Sequence, residues 1–319
     1  MTSNHMTISP SAKPSALAIA LAMAAVYLIW GSTYLGIRFA LEGGFPPLLM
    51  AGGRFVIAGS LLYAALRLRG MPAPTRAQWK NTAFTGMLLL GFGNGMVCIA
   101  QQSVSSGLAA VAVASAPLWM GLFAALRGQR PRRLEWLGLA IGFAGVLWLN
   151  AGSALTASPQ GLIALLIAPI AWSFGSIWSR GRDLPSPFMG AAAQMLCGGA
   201  LMLIAGFALG ERMHALPTWK ATFSIGYLIT FGSIVAFSAY IWLLQNVRPT
   251  LAGSYAYVNP VIAVMLGAWL AAERFSAHDV GAMLVILSGV VAITLAKATQ
   301  AKTIEADAPA AKAETEPAA

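Results

Sequence analysis

The sequence predicts an all-α integral membrane protein: ten transmembrane helices in two five-helix repeats of inverted topology, with both termini cytoplasmic. Three observations lead there. Of the 319 residues, 58% are apolar and only 9% are charged, whereas a soluble domain carries about 25% charged residues. Apolar runs of about 20 residues recur along the chain, each long enough at about 1.5 Å per residue to cross a hydrocarbon core of about 30 Å. Finally, one stretch is written twice. Gln102 to Pro117, QSVSSGLAAVAVASAP, returns 143 residues later as Gln245 to Pro260, QNVRPTLAGSYAYVNP, with Gln, Val, Leu-Ala and Pro in register. The same offset carries Gly138 onto Gly281, and an offset of 142 carries Trp30 and Arg38 onto Trp172 and Arg180. Self-similarity at half the length of a hydrophobic chain implies a duplicated unit of the kind from which carriers are built.

Taken in order, residues 1–15 are polar and proline-bearing and read as a disordered cytoplasmic lead. Lys13 followed by an Ala/Leu run imitates a secretory signal, but the run continues to Ile37 and its Trp-to-Arg spacing recurs in the second half, so it reads as a retained first helix. Apolar runs between charged or turn-forming breaks predict helices over 16–37, 46–66, 82–101, 107–126 and 134–150 in a first repeat spanning 16–150. A second repeat spanning 151–296 is predicted to hold helices over 160–179, 187–209, 222–245, 251–271 and 277–296. Long uninterrupted runs favour helices over the period-two alternation of a membrane barrel. Residues 297–319 are polar and Ala/Pro-rich, with nothing to bury, and read as a disordered cytoplasmic tail.

Loop charges orient the chain. With the N-terminus inside, fifteen lysines and arginines fall on the cytoplasmic side, including Arg127, Arg130, Arg132, Arg133, Arg180, Arg182 and Arg248, against four outside. This is the positive-inside bias. An odd number of helices per repeat then turns the second copy upside down, as alternating access requires. The net charge of +10 is spread over these short loops, so it reads as a topology signal and nucleic acid is not expected as a partner.

Several residues carry a resemblance. Trp30-Gly31-Ser32 followed by Arg38, the pair Arg54-Phe55, Pro117, and the stretch NPVIAVMLGAWLAAERFSAHDVGAMLVILSG resemble the EamA-type branch of the drug/metabolite transporter superfamily over residues 16–296. The most specific piece is Pro260 followed by Glu273-Arg274 and Gly281; Gln129-Arg130 stands in the first repeat where the family tends to repeat Glu-Arg. The resemblance implies a bacterial inner-membrane exporter of amino acids, including aromatic or hydrophobic ones, or of related small metabolites. It leaves open nucleobases, other metabolites or drugs as cargo, and a non-transporting scaffold subunit as the alternative role. The expected partners are a small solute and the lipid bilayer, with the oligomeric state open.

Polar and aromatic groups within spans are the candidate site, since lipid-facing positions are cheaper as Leu or Ala. Trp30 and Trp172 are repeat-related and sit mid-span, so they read as cavity-lining, alongside Trp119, Trp178, Tyr240, Tyr257 and Asn259. Asn94, between glycines in GFGNGM, reads either as a solute contact or as a hydrogen bond to a neighbouring helix. Pro117 and Pro260 are candidate kinks that expose backbone carbonyls. Arg54, the lone charge within a span, and Glu273 read as structural charges, with Arg54 pairing with Glu42, snorkelling, or meeting a carboxylate solute.

Apart from Glu135, His278 and Asp279 at the very starts of their helices, no Asp, Glu or His lies within a predicted span, which favours facilitated movement or exchange over carboxylate-mediated proton coupling. Cys98 and Cys197 sit in apolar runs without metal-ligand spacing, and neither metal nor cofactor is expected. Intramembrane protease motifs are absent, which speaks against an enzyme. No mid-span lysine is available for a retinal Schiff base.

Overall fold

The computed structural model describes residues 14–103, 112–129, 131–149, 151, 158–271, 277, 278, 280–293, 295 and 296. All regular structure among them is helical. In chain order the helices are α1 (Ala16–Glu42), α2 (Pro47–Leu68), α3 (Arg76–Ala100), α4 (Ala112–Leu126) and α5 (Arg133–Leu149). These are followed by α6 (Pro159–Ser179), α7 (Pro187–Ala208), α8 (Trp219–Asn246), the short α9 (Pro249–Gly253), α10 (Tyr255–Ala271) and α11 (Val280–Ile293). Six of them, α1, α2, α3, α6, α7 and α8, are long and apolar enough to cross a membrane. The proposed lead, the tail and Glu273 lie outside the described residues, apart from Pro14 and Ser15.

Side-chain caps and prolines set the helix starts. Ser15, Ser158 and Thr218 each accept a bond from the backbone N–H three residues on, and Thr75 with Gln78 closes a reciprocal capping box. Pro47, Pro159, Pro187 and Pro249 occupy first-turn positions where a missing N–H costs nothing. Gly70 after α2 and Gly210 after α7 take φ of +79° and +77°, the left-handed stop that glycine allows.

Apolarity alone misplaced some ends. α3 begins at Arg76 rather than 82, because the capping box at Thr75 sustains a polar first turn before the apolar run. α1 continues to Glu42, its last turn carrying the exposed Arg38–Glu42 pair at 2.7 Å. The predicted helix over 251–271 is two pieces, α9 and α10, parted at Ser254. The wider turns of π-helix at Met87–Asn94 within α3 and Leu228–Phe237 within α8 have no signature in apolar periodicity.

Large apolar side chains face outward, among them Leu17, Leu61, Ile204 and Phe223, each more than half exposed. Ala, Gly and Met fill much of the interior, consistent with helices that associate by close backbone approach in lipid. One such close pair is α2 against α7, which run antiparallel. A Cβ on Gly52 would come within 2.8 Å of the Gly199 carbonyl, and one on Gly59 within 2.9 Å of the Ala192 carbonyl. Overpacking a close-packed core costs about 1–3 kcal/mol. Gly52→Leu and Gly199→Leu are therefore expected to lower the thermal midpoint of the detergent-solubilised protein, while Gly53→Ala, which has open space, leaves it unchanged.

Candidate functional site

A cavity of about 100 Å³ lies where α1, α2, α3, α4, α6, α8 and α10 converge. Room of that size holds several water molecules. One side is aromatic. The Trp30 ring lies 5.5 Å from Trp172, 5.2 Å from Tyr240 and 4.8 Å from Tyr255, centre to centre and largely edge-on. Trp30 Nε1 donates to the Gly232 carbonyl at 3.0 Å, within the π-helical stretch of α8, so this ring ties α1 to α8. Trp172 Nε1 donates to the Tyr240 hydroxyl at 2.9 Å, and that hydroxyl shares a 2.7 Å bond with Ser176. Gly93 makes room for Trp172: a Cβ there would meet the indole at 2.8 Å.

The polar side is set by burial. Arg54, 4% exposed, lines the cavity from α2; its Nη2 donates to Asn94 Oδ1 at 2.9 Å and its guanidinium lies 4.4 Å over the Phe55 ring. Its Nε has no hydrogen-bond partner, and no carboxylate pairs with it among the described residues. On α10, Asn259 is buried against the same cavity with its Oδ1 unpartnered, beside the Tyr34 hydroxyl. Pro169, inside α6, also lines the cavity; lacking an N–H, it leaves the Leu165 carbonyl without its helical donor. A cationic donor, a carbonyl acceptor and aromatic walls thus surround one small space.

Of the residues singled out in the sequence, Trp30, Asn94, Trp172 and Asn259 line this cavity, and Tyr240 lies beneath its aromatic wall. Trp119, Trp178 and Tyr257 are not brought to it. Trp119 stacks on Phe123, Trp178 meets Phe84 and Arg182, and the Tyr257 hydroxyl donates to the Leu139 carbonyl at 3.1 Å. Arg54 does not pair with Glu42, which Arg38 holds instead. Pro260 lies inside α10 as expected, whereas Pro117 opens the stretch after a break at Ser115, where it costs no helical bond.

Sequence reasoning missed Tyr34, Phe237 and Pro169 at the cavity, because facing it depends on helix rotation. It also missed Glu211. That carboxylate reaches back from the segment after α7 to accept bonds from the Leu48 and Leu49 N–H groups at 3.0 and 2.9 Å, capping the first turn of α2.

Tyr240→Phe removes the hydroxyl that Trp172 and Ser176 share. A buried polar group left unpaired costs about 1–3 kcal/mol, so this variant is expected to unfold at a lower temperature and to alter tryptophan emission.

The family model described as the EamA-like transporter family matches the chain twice, over residues 17–151 and 159–295. The chain is 48% identical over 277 residues to a protein of Escherichia coli strain K12 called an uncharacterized inner membrane transporter, YedA, covering 86% of this chain and 90% of that one. It is 24% identical over 271 residues to protein PecM of Dickeya dadantii strain 3937, covering 83% and 88% of the two chains. A solved crystal structure shares the fold with a TM-score of 0.75 at 23% identity, covering 88% of this chain and 98% of the other. The protein is a multi-pass inner-membrane protein, and with two copies of the family's unit in one polypeptide it belongs to the EamA-like transporter family.

Proposed function

We propose that the protein exports amino acids, including aromatic or hydrophobic ones, or related small metabolites that carry a carboxylate. The observation that carries this reading is Arg54: a buried guanidinium on the cavity wall with no carboxylate opposite it among the described residues. A buried charge without a counter-charge is costly, and a carboxylate solute removes that cost. Asn259 Oδ1 can accept from a solute N–H, while Trp30 and Trp172 hold an apolar side chain. A neutral nucleobase or drug leaves Arg54 unpaired, which is why carboxylates are preferred over them. Phosphorylated cargo calls for several cations, and among the described residues Arg54 is the one Lys or Arg lining the cavity.

Alternating access between two inverted units, 16–150 and 151–296, is the mechanism we favour, with ten spans and both termini cytoplasmic. Contacts between α2 and α7 support it. Gly52 and Ala192 are each the sixth residue of their helix, and Gly59 and Gly199 each the thirteenth. Exchanging the repeats therefore maps the Gly52–Gly199 contact onto Ala192–Gly59, the pattern expected about a pseudo-twofold axis between antiparallel counterparts. Repeat-related pairs also share the cavity: Trp30 with Trp172, and Ala116 with Asn259. At about 100 Å³ the cavity is smaller than a whole aromatic amino acid needs, so one unit must rock against the other to load it.

Among the described residues no Asp, Glu or His lines the cavity, and Glu135 and Glu211 are engaged at helix starts. Movement is accordingly read as facilitated or as exchange. In reconstituted vesicles, Arg54→Gln is expected to reduce counterflow of a carboxylate-bearing solute at least about tenfold, the loss of one charge-assisted contact, with expression unchanged; wild-type rates would overturn the reading. Counterflow by the wild type is expected to be indifferent to an imposed pH gradient at clamped membrane potential, and stimulation by that gradient would overturn the uncoupled mechanism.

A further inference from the structure

A second concentration of charge lies where α4, α6 and α8 finish, the cytoplasmic end in the orientation proposed above. Arg127, Arg180 and Arg182 line one recess of about 400 Å³ with Gln129 and Gln245. Arg180 and Gln129 also line a second recess of about 400 Å³, together with Arg248 and Thr250. The two recesses share the Arg180 side chain, which stands as a partition in one vestibule.

Neutralising groups there are already taken. Glu135, 2% exposed, accepts from Arg248 Nε at 2.6 Å, Arg248 Nη2 at 2.7 Å, Thr250 Oγ1 at 2.9 Å and the Arg132 N–H at 2.7 Å. Asp183, next to Arg182, accepts from Gln78 Nε2 on α3 at 2.9 Å. Among the described residues no carboxylate pairs with Arg127, Arg180 or Arg182. Arg127 Nη1 donates to the Ile177 carbonyl at 2.7 Å, and Arg180 Nη1 donates to the Leu244 carbonyl and, at 2.9 Å, to that of Val247. These bonds engage Nη1 and leave the other edge of each planar guanidinium to meet a further acceptor.

Topology and capping explain part of this. Arginines collect on the cytoplasmic side, and cations suit helix C-termini. Neither explains why a half-buried Arg180 shares one recess with Arg127 and Arg182 at its exposed rim. Burial, and then the neighbouring Arg248, hold Arg180 below the ordinary guanidinium range. The place is also telling. Ser179 and Leu244 line the vestibule, and Ser176 and Tyr240, about one turn away along the same helices, lie behind the aromatic wall of the central cavity, with Tyr240 bonded to Trp172.

We propose that this vestibule is an oxyanion-binding site, centred on Arg180, that receives the carboxylate of a solute before it passes the aromatic wall to Arg54. An arriving carboxylate competes with the Leu244 and Val247 carbonyls for Arg180, which loosens the tie between the ends of α6 and α8 and couples loading to opening. The loading role rests on the carboxylate reading above; the anion site itself does not. An anionic lipid headgroup offers the same chemistry and is separated from a soluble anion by the test.

The test uses the full-length protein with Cys98→Ala and Cys197→Ala, carrying Gln245→Cys in the vestibule or Ala151→Cys at an exposed reference position. Modification rates are compared for an anionic and a cationic methanethiosulfonate in phosphatidylcholine vesicles. The anionic-to-cationic ratio at Gln245→Cys is expected to exceed that at the reference by at least about tenfold, as a basic cleft concentrates anions. It should fall several-fold on adding Arg180→Gln or, if that variant folds poorly, Arg127→Gln or Arg182→Gln. Benzoate should slow the anionic reagent more than chloride at equal ionic strength. A ratio equal to the reference, or equal effects of benzoate and chloride, overturns the site. Protection that appears only when phosphatidylglycerol is included overturns the soluble-anion assignment in favour of a headgroup. If counterflow depends on Arg54 but the ratio matches the reference, the vestibule alone fails; if the ratio and benzoate protection hold while carboxylate counterflow is absent, the cargo reading fails and the anion site stands.

Discussion

Hydrocarbon offers no hydrogen bonds, and this constraint governs the arrangement of the whole molecule. Any polar side chain on a membrane-crossing helix must find its partner inside the bundle, and the helices are rotated so that it does. Arg54 meets Asn94, Trp30 meets the Gly232 carbonyl, and Tyr240 gathers Trp172 and Ser176. Each of these bonds joins two helices, so satisfying the polar groups and fixing the packing are one event. Of the buried atoms left over, Arg54 Nε and Asn259 Oδ1 are conspicuous because both residues line the same cavity.

Close approach of backbones makes these distances attainable. Where glycine or alanine replaces a larger side chain, as between α2 and α7 or at Gly93 beneath Trp172, helices come near enough for side chains to bridge across the centre. Such contacts contribute dispersion rather than a solvent-driven hydrophobic gain, since lipid tails are as apolar as leucine. The interface therefore depends on shape, and one added side chain at Gly52 disturbs more than an exposed leucine does.

Depth divides the charges into two groups with different work. Glu211, Glu135, Arg127 and Arg180 sit at helix ends, where they complete backbone bonds that the helices themselves cannot make. Arg54 sits within a span and completes none. The aromatic cluster of Trp30, Trp172, Tyr240 and Tyr255 walls one side of the central cavity, and Tyr240 on α8 stands about one turn from Leu244 of the arginine-lined vestibule.

Much of this was legible in the residues themselves. Apolar runs located the helices, the repeated Gln-to-Pro segment disclosed the duplication, and Trp30, Asn94, Trp172 and Asn259 stood out as costly choices for a lipid-facing position. Cost in hydrocarbon is a property of residue type. Helix rotation is not, and so Trp178 and Tyr257 looked equivalent to Trp172 until neighbouring helices turned them elsewhere. Partners far apart in the chain were equally hidden: Glu211 on α2, Glu135 with Arg248, and Arg54 without a carboxylate among the described residues. Sequence alone determined that this chain enters a membrane as a doubled helical unit; only the tertiary structure decided which polar atoms find each other and which stay unpaired, because that depends on distances between segments far apart along the chain.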